Sequence, residues 1–475
     1  MTRIMSLMLC YLLFLCAGAL AQAEAPAEAP VAKRNVILFL GDGMGVSTIT
    51  AARILAGQLA GQTGEENELS FERFPNVALV KTYNVDAQVP DSAGTMSAIM
   101  TGEKTRIGVF GVNASVERND CKAALANTLP TLLERAEDAG FATGIVSTTR
   151  ITHATPAATY AHVPNRDWES DQQLPAAARE AGCRDIARQL VEFDHGDGID
   201  VILGGGRVLF MPSSQDDPEY QGLKGIRGDD RDLIETWQQG GQQRHYVWNV
   251  EQFRGLGSEP GQLLGLFDPS HLQFDIERAK KDGAGEPSLA EMTRVAIERL
   301  SKNPNGYFLM VEGGKIDHAH HAGNAHRALT ETIAFAEAVA TADTLTSAAD
   351  TLILVTADHS HTFTIAGYPK RGNPILGKVE APAGEPAADA RGRPYTTLGY
   401  ANGPGYRDEL PDLADVDTTA IDFLQVAGIP MESETHGGED VAAYARGPNA
   451  VALRGVLEQN RLYAIMATVL FPSAP

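Results

Sequence analysis

The chain has 475 residues, and its 61 acidic and 39 basic residues give a formal net charge of −22 at pH 7. A negative field of this size repels phosphate backbones, so we expect no nucleic-acid partner. Hydrophobic residues make up 43% of the chain and charged residues 21%, which is typical of a folded globular protein and excludes a disordered one.

The first 23 residues have the pattern of a secretory signal peptide. Arg3 is the only charge, an apolar run follows it, and Ala21-Gln22-Ala23 matches a cleavage site. A transmembrane anchor is less favoured, because Ser6 and Gly18 interrupt the run and no stop-transfer segment follows. We therefore expect a periplasmic or secreted protein with no membrane anchor in the mature chain, beginning with a flexible leader over 24–34.

Loss of the signal peptide would leave two cysteines, Cys121 and Cys183. In an oxidising compartment such a pair is expected to form a disulfide, worth roughly 4 kcal/mol through the entropy of a loop of about 63 residues. Two free buried thiols are the alternative that the sequence leaves open.

From residue 35 onwards, short apolar runs alternate with amphipathic helices, which predicts a single α/β domain over 35–475. We expect a large, mostly parallel central sheet with helices on both faces, an α/β/α sandwich. Between 367 and 432 the periodicity is lost, so this segment is predicted to be an insertion outside the sheet. The clearest strands are Val36–Leu40, Ala142–Ser147, Val201–Leu203, Tyr307–Val311 and Leu352–Thr356, and the clearest helices are Leu129–Ala139 and Glu291–Leu300.

Carboxylates and imidazoles follow several of these strands, at the sheet edge where open parallel sheets bind ligands. Asp42 alone is a weak signal, since an Asp in this position often caps the next helix. Asp317 and His321 are a stronger one, because four-residue spacing places both on one face of a helix. A solvated polar loop is the alternative there. The full set is Asp42, Glu312, Asp317, His321, Asp358, His359 and His436.

This mixture of oxygen and nitrogen ligands suits zinc, and magnesium fits where only oxygens gather. More than six ligands exceed what one tetrahedral zinc needs, so we infer at least two metal ions. Two-metal sites serve phosphoryl transfer and hydrolysis, because the two ions stabilise the attacking and the leaving oxygen.

Ser92 is the candidate nucleophile. It precedes an apolar helical stretch, where helix N–H groups favour a negative oxygen, although a simple N-cap role for Ser92 or Asp91 is locally the commoner reading. The chain has no G-x-S-x-G motif, which argues against an α/β-hydrolase triad and favours a metal-activated serine.

Five motifs, in order along nearly the whole mature chain, resemble those of the alkaline phosphatases. They are Val36–Gly45, Asp91–Thr95, Val311–His318, Thr356–His361 and Thr435–Asp440.

The resemblance implies a phosphoserine at Ser92 and three metal ions. One zinc would be held by Asp42, Asp358 and His359, and the other by Asp317, His321 and His436. A magnesium ion would be shared by Asp42, Thr155 and Glu312.

The resemblance also implies that Arg166 clamps phosphate through its bidentate guanidinium. His153 and His318, which would lie beside the substrate, match the animal-type branch, as does a Cys121–Cys183 disulfide. A further calcium ion would be held by Glu219, Phe267 (through its carbonyl), Asp268 and Glu286. The 367–432 segment would form a crown-like insertion in a homodimer.

The expected activity is hydrolysis of small phosphate monoesters to an alcohol and inorganic phosphate. Two alternatives stay open from the sequence. One is a phosphodiesterase of the same superfamily, and the other is a non-catalytic periplasmic protein that binds metal or phosphate.

Overall fold

The computed structural model describes residues 33–241, 243–257, 260–280, 285–409 and 412–472. The predicted signal peptide, and residues 24–32 of the predicted leader, lie outside these ranges. The described strands are β1 Arg34–Gly41, β2 Asn76–Lys81, β3 Ala142–Arg150, β4 Val201–Gly205, β5 Arg244–Val247, β6 Gln262–Leu266, β7 Gly306–Gly313, β8 Thr351–Ala357, β9 Ser360–His361, β10 Phe363–Ile365, β11 Leu398–Gly403, β12 Ala427–Pro430, β13 His436–Gly437, β14 Val441–Arg446 and β15 Gly455–Glu458.

The helices connect these strands or pack beside them. They are α1 Val46–Leu59, α2 Ser92–Thr101, α3 Cys121–Ala126, α4 Leu132–Asp138, α5 Ala154–Ala157, α6 Ala176–Glu180, α7 Ile186–Val191, α8 Leu233–Gln239, α9 Val250–Arg254, α10 Asp275–Lys280, α11 Leu289–Leu300, α12 Lys315–His321, α13 Ala325–Leu345 and α14 Arg461–Leu470.

Ten strands form the central sheet, in the order β15-β2-β14-β8-β1-β7-β3-β4-β6-β5. The ladders are parallel except the two made by β14, which runs against both β8 and β2. The predicted mostly parallel sheet is therefore confirmed. Because parallel strands point the same way, their carboxyl ends share one edge of the sheet.

The central strands are buried along their whole length. Every residue of β7 and β8 is buried, and so is every residue of β1 after Arg34. Such strands need cover on both faces. One group of helices, α1, α11 and α12, packs around α13, and a second group, α2 and α4, packs around α14; both α13 and α14 contact β1. These contacts confirm the predicted α/β/α sandwich.

Helix starts follow local capping. α4 begins three residues later than predicted, because Thr131 caps it and forms a reciprocal capping box with Glu134. Ser288 and Glu291 make the same arrangement at the start of α11, which therefore begins two residues earlier than predicted.

Two small sheets lie outside the central one. β10, β11 and β12 form a three-stranded sheet, to which the 367–432 segment contributes the last two strands. β13 and β9 form a two-residue antiparallel ladder that pairs His436 with His361.

The predicted disulfide is present. It joins Cys121, at the start of α3, to Cys183, with a Cα–Cα distance of 6.0 Å. Among the described residues, no helix combines the length and the apolar character needed to cross a membrane.

Candidate active site

Three adjacent strands end level with one another and bring the candidate ligands together. Gly41 at the end of β1 pairs with Gly313 of β7 and with Ala357 of β8. Asp42 and Asp358 directly follow two of these positions. α12 begins after β7 and carries the candidate ligands Asp317 and His321.

Ser92 is the first residue of α2, and the carboxylate of Asp91 caps this helix by accepting from the N–H of Gly94 at 3.1 Å. The Ser92 hydroxyl is buried, 3.3 Å from Oδ1 of Asp42 and 3.2 Å from Nε2 of His359. Asp91 therefore takes the capping role, and the side chain of Ser92 is left facing the candidate ligands.

The first group of ligands consists of Asp42, Asp358 and His359, which are all fully buried. Nε2 of His359 lies 3.3 Å from Asp42 and 3.4 Å from Asp358, and the three ligand atoms lie within 4.8 Å of one another. A carboxylate–carboxylate–imidazole set this close suits one zinc ion.

The second group centres on Oδ1 of Asp317. It lies 3.2 Å from Nε2 of His321, one helical turn along α12, and 3.5 Å from Nε2 of His436. The two imidazole nitrogens are themselves 3.2 Å apart. The three residues predicted to share an ion are thus neighbours in the structure.

His361 belongs to the same cluster, although the sequence reasoning gave it no role. Its Nε2 lies 2.9 Å from Oδ1 of Asp317, and its Nδ1 lies 2.5 Å from the buried carboxylate of Glu434. The sequence signal was the spacing His359-Ser360-His361, since residues two apart in an extended segment point the same way.

A third group surrounds Glu312. Its Oε2 accepts from the hydroxyls of Ser147 and Thr149, whereas its buried Oε1 has no hydrogen-bond partner among the described residues. Ligand atoms of Asp42, His153 and Glu312 lie within 4.8 Å of one another. The hydroxyl of Thr155 is 3.4 Å from Oδ2 of Asp42. The unpaired oxygen and the hydroxyl fit a magnesium ion at this position.

Arg166 contacts Asp91, the residue that precedes the serine. Its Nη1 is 3.1 Å from Oδ2 of Asp91, and its Nη2 is 3.3 Å from Nε2 of His153. The ring of His153 also contacts His318 edge-on, with centroids 5.6 Å apart. The predicted phosphate clamp and the two predicted substrate-side histidines are therefore adjacent.

His271, which the sequence reasoning passed over, completes this wall of imidazoles. Its ring lies 4.2 Å from that of His318 and 5.2 Å from that of His153, between centroids.

The buried charges of the site call for cations. Burial, reinforced by the charge of Asp42, raises the pKa of Glu312 well above its ordinary value and that of Asp358 to about 6. Burial lowers the pKa of His359, but the carboxylates of Asp358 and Asp42 outweigh it and bring that pKa to about 10. Positive charge is thus favoured here, as protons or as metal ions.

The predicted calcium ligands also lie together. Burial and the charge of Asp268 raise the pKa of Glu286 to about 8, and the charge of Glu219 adds to the effect. Oε2 of Glu219 is 3.1 Å from Nη2 of Arg207. Phe267, whose carbonyl was the fourth predicted ligand, immediately precedes Asp268 and is fully buried.

Buried carboxylates and imidazoles at the carboxyl edge of a parallel sheet, with a serine at a helix N-terminus among them, define a metal-dependent hydrolase. A family model described as alkaline phosphatase matches residues 33–471. The chain therefore belongs to the alkaline phosphatase family, and it is a phosphomonoesterase.

Relatives of known activity span nearly all of the chain. It is 48% identical over 443 residues to the alkaline phosphatase of Gadus morhua, covering 91% of each chain. It is 49% identical over 444 residues to the tissue-nonspecific isozyme of Gallus gallus, covering 91% of this chain and 84% of that one. The predicted family and the predicted phosphomonoesterase activity are thereby confirmed.

Solved structures share the fold. The alkaline phosphatase of the Antarctic bacterium TAB5 matches with a TM-score of 0.63 at 24% identity, covering 92% of this chain and 98% of that chain. The enzyme of Thermus thermophilus matches with a TM-score of 0.65 at 23% identity, covering 94% of each.

Proposed function

We propose that the enzyme hydrolyses phosphate monoesters through a phosphoserine on Ser92, with two zinc ions and one magnesium ion per chain. The observation that best supports this proposal is the position of the Ser92 hydroxyl. Ser92 begins α2, and its hydroxyl lies 3.3 Å from Asp42 and 3.2 Å from His359. A serine with only a capping role has no need of two candidate metal ligands around its oxygen.

The donor atoms decide which ion each group would hold. Two groups combine carboxylate and imidazole donors, which suit zinc. One consists of Asp42, Asp358 and His359, and the other of Asp317, His321 and His436. Oxygen donors from Asp42, Thr155 and Glu312 suit magnesium. When bound, the ions supply Lewis acidity that favours the ionised form of the attacking and leaving oxygens.

Two displacements at phosphorus account for the reaction. In the first, the Oγ–P bond forms on Ser92, the ester P–O bond breaks, and the leaving alcohol takes up a proton as the serine gives up its own. In the second, water forms a new P–O bond, the Oγ–P bond breaks, and the proton from water restores the serine hydroxyl. The products are an alcohol and inorganic phosphate.

Arg166 would hold the phosphoryl group during both steps. Its guanidinium can donate two parallel hydrogen bonds to phosphate oxygens, and the 3.1 Å contact with Asp91 fixes its orientation. His153 and His318 line the same side of the site and would contact the bound phosphate or its solvent shell.

Three further features complete the proposal. A calcium ion would be held by Glu219, Phe267, Asp268 and Glu286, where like charges now crowd. The 367–432 segment would act as a crown-like insertion in a homodimer. The signal-peptide pattern of the first 23 residues would send the protein to the periplasm or out of the cell.

The Ser92→Ala variant tests the nucleophile. We expect turnover of p-nitrophenyl phosphate to fall by about 10⁴-fold or more, because no oxygen remains to attack phosphorus. Zinc content, measured by elemental analysis, should not change.

Ser97→Ala is the matched control, because Ser97 lies on the same helix and, among the described residues, its hydroxyl bonds only the N–H of Gly111. It should keep most of the activity. If Ser92→Ala turned over substrate as fast as Ser97→Ala, the phosphoserine pathway would be rejected.

A further inference from the structure

The side chain of Arg166 extends from a short loop, and a second loop holds that loop in place. The first loop runs from 164 to 167, and the second contains Arg118 and Asn119. Because a phosphate clamp needs its guanidinium correctly placed, the contacts between the two loops bear on the reaction. They are separate from the contact with Asp91, which fixes the tip of the Arg166 side chain.

Asn165 closes a turn around Arg166. Its Oδ1 accepts from the N–H of Asp167 at 2.9 Å, so the side chain of Asn165 bonds to the backbone two residues further on. Arg166 is the central residue of this turn, and its own N–H donates to the carbonyl of Gly108 at 2.9 Å. The two peptide groups that flank the Cα atom of Arg166 are thus both held.

The second loop bonds to the residues on either side of Arg166. Nδ2 of Asn165 donates to Oδ1 of Asn119 at 2.7 Å, and Oδ1 of Asn165 accepts from Nη2 of Arg118 at 3.3 Å. The same Nη2 lies 2.6 Å from Oδ2 of Asp167. The N–H of Asn119 donates to the carbonyl of Pro164 at 2.9 Å. All four contacts fall within two residues of Arg166.

Both loops are anchored at the disulfide. Cys121 follows Asn119 by two residues, and Trp168 comes directly after Asp167. Cys121 and Trp168 pack together, with the other half of the disulfide, in one buried cluster. This cluster gives the contacts between the loops a fixed base.

These contacts are poorly suited to stabilising the fold. The side chains of Arg118 and Asp167 are 46% and 66% exposed, and exposed ion pairs contribute little to the free energy of unfolding. A small displacement of a group that binds the substrate, by contrast, can slow a reaction by about 100-fold. The contacts therefore matter more for the placement of Arg166 than for stability.

We infer that Asn165 is a positioning residue, which holds Arg166 ready to bind phosphate and is itself held by Asn119 and Arg118. The inference rests on the proposed role of Arg166 as the phosphate clamp. Asn165 acts on phosphate only through Arg166, so its effect disappears when the guanidinium is absent. Loss of the turn weakens phosphate binding more than it slows turnover, because Ser92 and the metal groups are unchanged.

A double-mutant cycle on Asn165→Ala and Arg166→Ala tests this. The readouts are the inhibition constant of inorganic phosphate and the kcat for p-nitrophenyl phosphate. We expect Asn165→Ala to raise the inhibition constant about fivefold while kcat falls by less than about twofold. In the Arg166→Ala background, the same substitution should change neither quantity.

Two further variants separate positioning from a general loss of structure. Asn165→Asp keeps the oxygen that accepts from the N–H of Asp167, so it should restore most of the phosphate affinity. Asn119→Gly removes the partner of Asn165 on the other loop, and glycine suits the left-handed backbone found there, where φ is 71°. It should raise the inhibition constant in the same direction as Asn165→Ala.

Asn303→Ala is the matched control. Oδ1 of Asn303 accepts from the N–H of Asn305 at 2.9 Å, and its Nδ2 donates to the carbonyl of Gly140 at 3.2 Å. The pattern is the same as at Asn165, but this turn precedes the amino end of β7, whereas the site lies at the carboxyl end. The inhibition constant should not change in this variant.

Two kinds of failure are distinguishable. If Arg166→Ala left the inhibition constant unchanged, the clamp role of Arg166 would be rejected, and the inference with it. If Arg166→Ala weakened phosphate binding but Asn165→Ala did not, only the positioning role of Asn165 would be overturned. An equal effect of Asn165→Ala in both backgrounds would overturn that role as well.

Discussion

Glu137 is a buried carboxyl group that the fold holds in its protonated form. Burial raises its pKa to about 9, and the charges of Asp200, Asp197 and Asp138 act in the same direction against the hydrogen bond from Thr143. Its Oε2 finds no hydrogen-bond partner in the part of the chain that the structure describes. A side chain of this kind makes stability depend on pH.

The direction of this pH dependence follows from the number of protons that Glu137 binds in the folded and unfolded states. Between its unfolded pKa, about 4.5, and its folded pKa, about 9, the unfolded state binds fewer protons at this position. The free energy of unfolding therefore falls as pH rises through this window.

Glu137→Gln removes this titration. We expect the variant to lose less stability between about pH 5 and pH 8 than the wild type, by up to about 4 kcal/mol, in urea denaturation at each pH. The exposed Glu117→Gln serves as control and should follow the wild type. Parallel stability–pH curves for Glu137→Gln and the wild type would contradict the prediction.

At the residue scale, the sequence indicated Ser92, the strand-end carboxylates and their histidines, because each stands next to a recognisable strand or helix. It did not indicate His361 or His271. His361 lies beside Asp317 in the two-residue strand β9, which is too short to show a pattern of its own. His271 lies in a loop whose path depends on packing between distant segments, which no local pattern encodes.

At the element scale, the shortest ladder of the fold positions a candidate ligand. Gly437 of β13 pairs with Ser360 of β9, and a Cβ added to Gly437 would lie 2.8 Å from the carbonyl oxygen of His361. A contact this short with a backbone atom cannot be relieved by a side-chain rotation, so β13 itself would have to move. His436, the preceding residue, would then shift away from His321.

Gly437→Ala should therefore weaken zinc binding at the Asp317, His321 and His436 group by about tenfold or more. The measurement is phosphatase activity against buffered free zinc, where the variant should need more zinc to reach its maximum.

Gly438→Ala is the neighbouring control, since its added Cβ would come no closer than 3.2 Å, to a methyl group of Val89. Coincident zinc curves for the two variants would show that the ladder does not position His436.

The long elements were predictable and the short ones were not. Runs such as Val36–Leu40 are apolar throughout, since β1 is covered on both faces, and this composition identifies a central strand. β9 and β13 span two residues each, too few for any periodicity. Helix starts shifted where a capping box, as at Thr131, overrode the hydrophobic pattern.

At the scale of the whole molecule, bound cations should contribute to stability as well as to activity. The chain is strongly acidic, and Asp42, Glu312 and Asp358 are all fully buried at the sheet edge. A site filled at a thousand times its Kd stabilises the folded state by about 4 kcal/mol.

Removal of metal with a chelator should abolish activity and lower the melting temperature while leaving the far-UV circular dichroism spectrum unchanged. Zinc added back should restore most of the activity, and magnesium the remainder. Full activity at less than about a tenth of an equivalent of zinc per chain would contradict the assignment of zinc.

The active site joins parts of the chain that are synthesised far apart in time. Nδ1 of His436 lies 2.7 Å from the carbonyl of Pro90, across 346 positions of sequence. β14, which follows His436 in the chain, lies between β2 and β8 in the central sheet. A partly made chain thus holds Ser92 without His436, and with the proposed ligand assignment we expect no activity until almost all of the polypeptide has been made and folded.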